Sequence, residues 1–166
     1  GAAQADSAAV IFNCFYTCFG ERQFKAALDW LRRLNEDSEV SQRKDLLSLS
    51  PLMEILTHFE LGNVDLLPYL VRNTERFYSK HHPEREFERL MLRYFKRLSQ
   101  HDLRTADQHR LFVSWLQDLD ALFESAFERT VQLYFDFRAW LVSHLEDRPF
   151  AVCVQAGFLA LQQADL

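Results

Sequence analysis

From Val10 to Leu161 apolar side chains recur three and four residues apart, the spacing that gathers them on one face of an α-helix. Four glycines (Gly1, Gly20, Gly62, Gly157) and four prolines (Pro51, Pro68, Pro83, Pro149) are the only strong breakers in 166 residues. A β-rich fold, or an active site built on loops, needs more turn residues than that. Long helices joined by short turns are therefore predicted. Hydrophobic residues make up 48% of the chain, enough for a sizeable core, and fifteen Phe, five Tyr and three Trp make that core aromatic.

The periodicity predicts about eight helices. The first carries two ridges, Val10–Cys14–Cys18 and Ile11–Phe15–Phe19, and is interrupted at Gly20. The second presents Phe24, Ala27, Leu28, Leu31 and Leu34 and is closed by Asn35-Glu36-Asp37-Ser38. A third carries Leu46, Leu49, Met53, Leu56 and Phe59; Pro51 kinks it or starts it with Ser50 as N-cap, and a left-handed Gly62 ends it. Asp65 is read as the cap of a fourth, with Pro68 in its first turn and Leu67, Leu70, Val71, Thr74, Phe77 and Tyr78 inside. His81-His82-Pro83 is a break before a fifth helix bearing Phe87, Leu90, Met91, Tyr94, Phe95 and Leu98.

Thr105 and Gln108 form a capping box for a sixth helix with Leu111, Phe112, Trp115, Leu119 and Leu122 on its apolar face. A seventh is expected over roughly 126–145 with Phe127, Val131, Tyr134, Phe137, Trp140 and Leu141, and Pro149 opens a last apolar helix through Phe158 and Leu161. No low-complexity linker divides these elements, so residues 1–166 are expected to form one domain with 1–6 as a flexible end. The chain opens on Gly1 rather than Met, as a cleavage scar would, and a segment of a longer protein is expected.

A repeat of 40 residues is visible: Phe24-x-x-Ala27 and Val64-x-x-Leu67 each follow a glycine-containing turn. Antiparallel helix pairs recurring at this length mark an α-solenoid, and Phe24-x-x-Ala27 looks like the close approach within a tetratricopeptide hairpin. The strings Phe24-Lys25-Ala26-Ala27-Leu28-Asp29-Trp30-Leu31, Thr57-His58-Phe59-Glu60-Leu61-Gly62-Asn63-Val64-Asp65-Leu66-Leu67, Tyr69-Leu70-Val71-Arg72 and Tyr134-Phe135-Asp136-Phe137-Arg138-Ala139-Trp140-Leu141 occur in that order. They resemble a group of uncharacterised tetratricopeptide-like proteins of Bacteroidetes. The resemblance spans roughly residues 12–150. It implies an all-α, right-handed α–α superhelix of antiparallel helices at the C-terminal end of a longer bacterial cytoplasmic protein. It brings no reaction, and Pro68 stands where that pattern leads one to expect a charged residue.

Charge is unevenly placed. Residues 1–71 hold six Lys/Arg and ten Asp/Glu, residues 72–104 nine and five, and residues 105–166 four and nine, so a basic middle lies between acidic ends in a chain of net charge −5. Arg85, Arg89, Arg93 and Arg97 recur at i, i+4 spacing opposite the apolar face of the fifth helix, and Arg72, Arg76 and Lys80 form a second such row on the fourth. If the two helices are neighbours, the rows merge into a surface able to fork around carboxylates or phosphates. The alternative is a solvated face moderated by Glu75, Glu84, Glu86 and Glu88.

Catalytic patterns are absent from the sequence: there is no nucleophile elbow, no phosphate loop and no Ser-His-Asp arrangement. Cys14 and Cys18 lie one turn apart but lack two further ligands of suitable spacing, and with Cys153 they read as reduced thiols packed as small hydrophobes. His81, His82, His101 and His109 read as turn histidines, and His144 as lying beside the core near a helix end. Asp136, set among aromatics, is expected to form a salt bridge to another helix. No cofactor and no metal are expected, and no apolar run reaches the length of a membrane span.

The expected role is non-enzymatic: a module holding a protein or peptide partner, with an acidic segment favoured. Asn13, Thr17, Glu54, Thr57 and His58 would line a groove between the first and third helices, and Arg72, Arg76, Arg85, Arg89, Arg93 and Arg97 would form the basic surface. Self-assembly into a homo-oligomer is the alternative. Nucleic acid ranks last, because the overall charge is acidic.

Overall fold

A computed structural model describes residues 2–36, 43–81, 85–100 and 103–165, with side chains from Ser7 onward. Asp37, Ser38, His82, Pro83 and His101, named above as turn residues, lie outside the described residues, as do Glu84 and the side chains of the expected flexible end. The described residues form nine α-helices with two short 3₁₀ turns and no strand: α1 Ala2–Gly20, α2 Phe24–Glu36, α3 Lys44–Glu60, α4 Leu67–His81, α5 Glu86–Leu98, α6 Thr105–Leu122, α7 Ala126–Arg129, α8 Phe137–Leu145 and α9 Phe150–Ala164. They gather in two compact units. The first holds α1–α4 and α5 from Met91; the second holds the start of α5 through Leu90 and α6–α9.

In the first unit, α1 packs on α2, α2 on α3 and α3 on α4. The buried stripe of α1 is Ala8, Phe12, Phe15 and Phe19, whereas Val10 faces solvent and Cys14 and Cys18 are half-buried. The expected Val10–Cys14–Cys18 ridge is thus on the wrong side. Phe12 and Phe15 carry more apolar area than Val and Cys, and turning them inward removes more of it from water. Ala27 of α2 is fully buried, and Phe19 meets Phe24 edge-on at 5.2 Å across the hairpin corner.

α3 is the central helix of this unit, buried on most of its circumference by Leu46, Leu49, Ser50, Leu52, Met53, Ile55, Leu56 and Thr57. It begins at Lys44, so Pro51 lies inside it and Ser50 is not its N-cap; Ser50 Oγ instead donates to Asn35 Oδ1 at 3.0 Å. A 3₁₀ turn over Val64–Leu66, which includes Asp65, precedes α4. The Tyr78 hydroxyl of α4 donates to the Ser48 carbonyl at 2.7 Å, which ties α4 to α3.

The two hairpin turns of this unit close in the same way. Gln23 N donates to Cys18 O at 2.8 Å and Arg22 N to Phe19 O at 3.0 Å; Asn63 N donates to His58 O at 3.0 Å and Gly62 N to Phe59 O at 3.0 Å. Each is a Schellman closure with one left-handed residue. That residue is Arg22 (φ 62°) in the first turn and Gly62 (φ 78°) in the second, 40 positions apart, the period read in the sequence. Gly20 therefore is not the turning residue. An L-residue in this conformation is strained by about 1–2 kcal/mol, partly offset in glycine by its freer unfolded chain. Arg22→Gly is expected to raise stability by about 0.5–1 kcal/mol in urea unfolding; a loss of stability would show that the arginine side chain contributes more than the backbone strain costs.

The second unit is built on rings. Trp140 of α8 meets Trp115 of α6 edge-on at 5.3 Å and Phe112 at 5.4 Å, and His144 lies 5.1 Å from Phe112. Phe87 at the start of α5 packs on Phe137 at 4.9 Å and Phe123 at 6.1 Å, while Phe135 stacks on Phe150 at 5.2 Å. The single helix expected over 126–145 is broken: α7 passes into a 3₁₀ turn over Thr130–Leu133, and α8 starts afresh at Phe137. Asp136 causes the restart, accepting from Ala139 N at 2.8 Å as the N-cap, while Gln132 Oε1 accepts from Phe137 N at 2.9 Å. The break leaves Phe127 and Leu133 exposed.

Asp136 is thus a cap and not the expected interhelical salt bridge; the pair to a second helix belongs to Arg138, whose Nε lies 2.8 Å from Asp120. The capping box expected at Thr105 and Gln108 is also absent, since Arg104 occupies the cap position with no side-chain bond. Pro149 opens α9 as expected.

Candidate interaction surface

The groove residues expected on α1 and α3 part company. Asn13 and Thr17 are exposed and line an open, mainly apolar depression of about 470 Å³ with Val10, Cys14, Cys18 and Trp30. Their place follows from α1 turning its phenylalanines inward, which leaves positions 10, 13, 14, 17 and 18 on the outer face. Glu54, Thr57 and His58 are not part of that depression. Thr57 is fully buried and its hydroxyl donates to the Met53 carbonyl, so it makes no surface contact. His58 Nδ1 lies 3.0 Å from Asn63 Nδ2, and Glu54 is half-buried. A second cavity of about 470 Å³ is lined by Asn35, Lys44, Leu47, Pro51, Phe77 and His81, with the His81 ring 5.2 Å from Phe77. Sequence reasoning missed it, although a proline eight residues into a helix frees the carbonyl four residues earlier and marks such a place.

The arginines divide between the units. In the first, Arg72 and Arg76 on α4 and Arg93 and Arg97 on α5 are all exposed. Arg93 and Arg97 both stack on Tyr94, at 5.5 and 5.8 Å from its ring. Their guanidinium groups thus share the face of a buried aromatic. Lys96 and Glu75, 3.6 Å apart, link this part of α5 to α4, and Glu75 lies on α4 between Arg72 and Arg76. Arg72, Arg76 and Arg97 make no ion pair with any other described residue.

In the second unit Arg85 precedes α5 instead of lying on it, and its guanidinium stacks 4.8 Å from the exposed Phe127 ring. Arg89 is exposed on the first turn of α5. Glu88, grouped above with the carboxylates of a solvated face, is buried: its Oε2 accepts from Arg85 N at 2.8 Å. Glu128, also buried, accepts from Phe87 N at 3.2 Å. Both carboxylates are consumed in capping the start of α5, where unsatisfied N–H groups and the helix dipole favour negative charge.

Burial pushes the Cys153 thiol up, opposed by the nearby Arg148 guanidinium, so the sulfur is held protonated. Arg148 is itself raised by its hydrogen bond to Glu146 at 2.9 Å. Among the described residues no three His, Cys, Asp or Glu side chains gather closely enough to share a metal ion, and no helix is long and apolar enough to cross a membrane. No family model matches the chain, and no curated protein or solved structure matches it either.

Proposed function

We propose that this chain is a non-enzymatic helical-repeat module, a tetratricopeptide-like right-handed α–α superhelix of a cytoplasmic protein, that holds an acidic protein segment on its first unit. What carries the reading is the set of exposed arginines on α4 and the later turns of α5, of which Arg72, Arg76 and Arg97 are paired with no carboxylate among the described residues. Guanidinium groups already ordered by stacking, as Arg93 and Arg97 are on Tyr94, lose less rotamer freedom on gripping a carboxylate. The solenoid reading is supported by the successive packing of α1 to α4 and by the two identical turn closures 40 residues apart.

Fluorescence anisotropy with a labelled Glu-rich peptide checks the proposal. Binding should weaken as salt rises, and Arg72→Glu/Arg76→Glu should weaken it by about tenfold or more. Equal binding by the wild type and the reversal, or a preference for single-stranded DNA over the peptide, would sink it.

A further inference from the structure

We infer that α9 is a self-pairing arm, which joins two copies of this protein in an antiparallel, two-fold contact. α9 reads FAVCVQAGFLALQQA and contains no charged residue, the only helix of more than four residues among the nine of which this is true. Cys153 is its only buried residue, and from Gln155 to Asp165 every position is exposed. Three helical turns thus stand largely open to solvent. A helix this short holds its shape in water only marginally, and most helical stability comes from packing an apolar face. Phe158 and Leu161, 60% and 68% exposed, have no such cover within the described residues.

The sequence of the arm identifies what covers it. Ala151, Val154, Phe158 and Leu161 follow the 3-4-3 spacing of a helix–helix seam. Laid antiparallel on a second copy, the seam places Ala151 against Leu161 and Val154 against Phe158. Each large side chain meets a small one, and the match is symmetric about residue 156, as an isologous contact requires. A lipid surface fits less well, because an interfacial helix carries a basic polar face and α9 has no Lys or Arg. Two arms of this length bury on the order of 700 Å² in all, short of a permanent interface and suited to a weak, reversible dimer. The inference stands independently of the arginine surface.

Sedimentation over about 5–500 µM tests it by mass action. The wild-type mass is expected to climb toward that of a dimer, and Phe158→Glu/Leu161→Glu to remain monomeric throughout with an unchanged urea unfolding transition. A monomeric wild type, or association undiminished in the double variant, overturns the proposal. Orientation is read separately, with Cys14 and Cys18 replaced by serine. An oxidised mixture of Ala151→Cys and Leu161→Cys chains should give the mixed disulfide dimer, because two copies of position 151 lie about 15 Å apart along antiparallel arms. Cross-linking of each variant chiefly with itself would overturn the antiparallel arrangement.

Discussion

Replacing Trp140 by alanine should lower the stability of the second unit by about 3–5 kcal/mol, a large part of what a domain of this size possesses. Trp140 is fully buried and lies at the centre of a ring cluster, 5.3 Å from Trp115, 5.4 Å from Phe112 and 5.4 Å from His144. Its removal withdraws the transfer energy of the largest side chain, leaves a cavity, and takes away edge-to-face contacts worth about 0.5–1.5 kcal/mol each. The rings around it are rigid and project from two helices, so the cavity cannot collapse by a simple rotamer change. Urea unfolding followed by circular dichroism measures the loss. Leu133→Ala is the control, since an exposed side chain outside the core should change stability by only about 0.5 kcal/mol. If Trp140→Ala falls within 1 kcal/mol of the wild type (about the scatter of surface changes), the cluster is not what holds α6 to α8.

The apolar faces of α5 and α6 were legible in the sequence because their stripes are long and made of large side chains. All six expected positions of α5 are buried, as are Leu111, Phe112, Trp115 and Leu119 of α6, while Leu122 at the end of α6 is half-buried. The seventh helix failed for the opposite reason. Apolar spacing continues unbroken through residues 126–145, but spacing does not register side chains that capture backbone N–H groups. Gln132 and Asp136 do so, and the helix restarts. The first turn failed because a left-handed residue is sought at glycine, and Gly20 stood two positions before Arg22.

The candidate surface was legible to the same depth. The i, i+4 arginine spacing places Arg72 with Arg76 and Arg93 with Arg97 on exposed helix faces, as the periodicity demands. Spacing could not reveal that Thr57 points into the core, because α3 is buried on most sides and has no single inward stripe. Nor could it reveal the exposed arm, since an apolar helix reads alike whether it is covered or bare. Only the burial of Cys153 alone separates the two cases.

Glu88 shows the same limit most sharply, and the second large effect is expected there. Glu128→Ala should cost about 1.5–3 kcal/mol and Glu88→Ala a similar amount, because each removes a charged acceptor from a buried backbone N–H at the start of α5. The N–H groups of Arg85 and Phe87 belong to the first turn, where no intrahelical carbonyl can reach them. Glu88 answers one from within the helix, as the glutamate of a capping box does, and Glu128 answers the other from α7. Glutamine at either position keeps an acceptor oxygen and the shape but loses the charge facing the helix dipole, so each Glu→Gln change should cost less than its alanine counterpart. The double alanine variant should lose more than the sum of the two, since each single removal also relieves repulsion between the carboxylates and the double variant gains that relief only once. Urea unfolding of the single and double variants gives the cycle, with the exposed Glu124→Ala as the reference. A loss at Glu128 no larger than at Glu124 would show that water serves the Phe87 N–H as well as the carboxylate does, and that the two glutamates are buried without being needed.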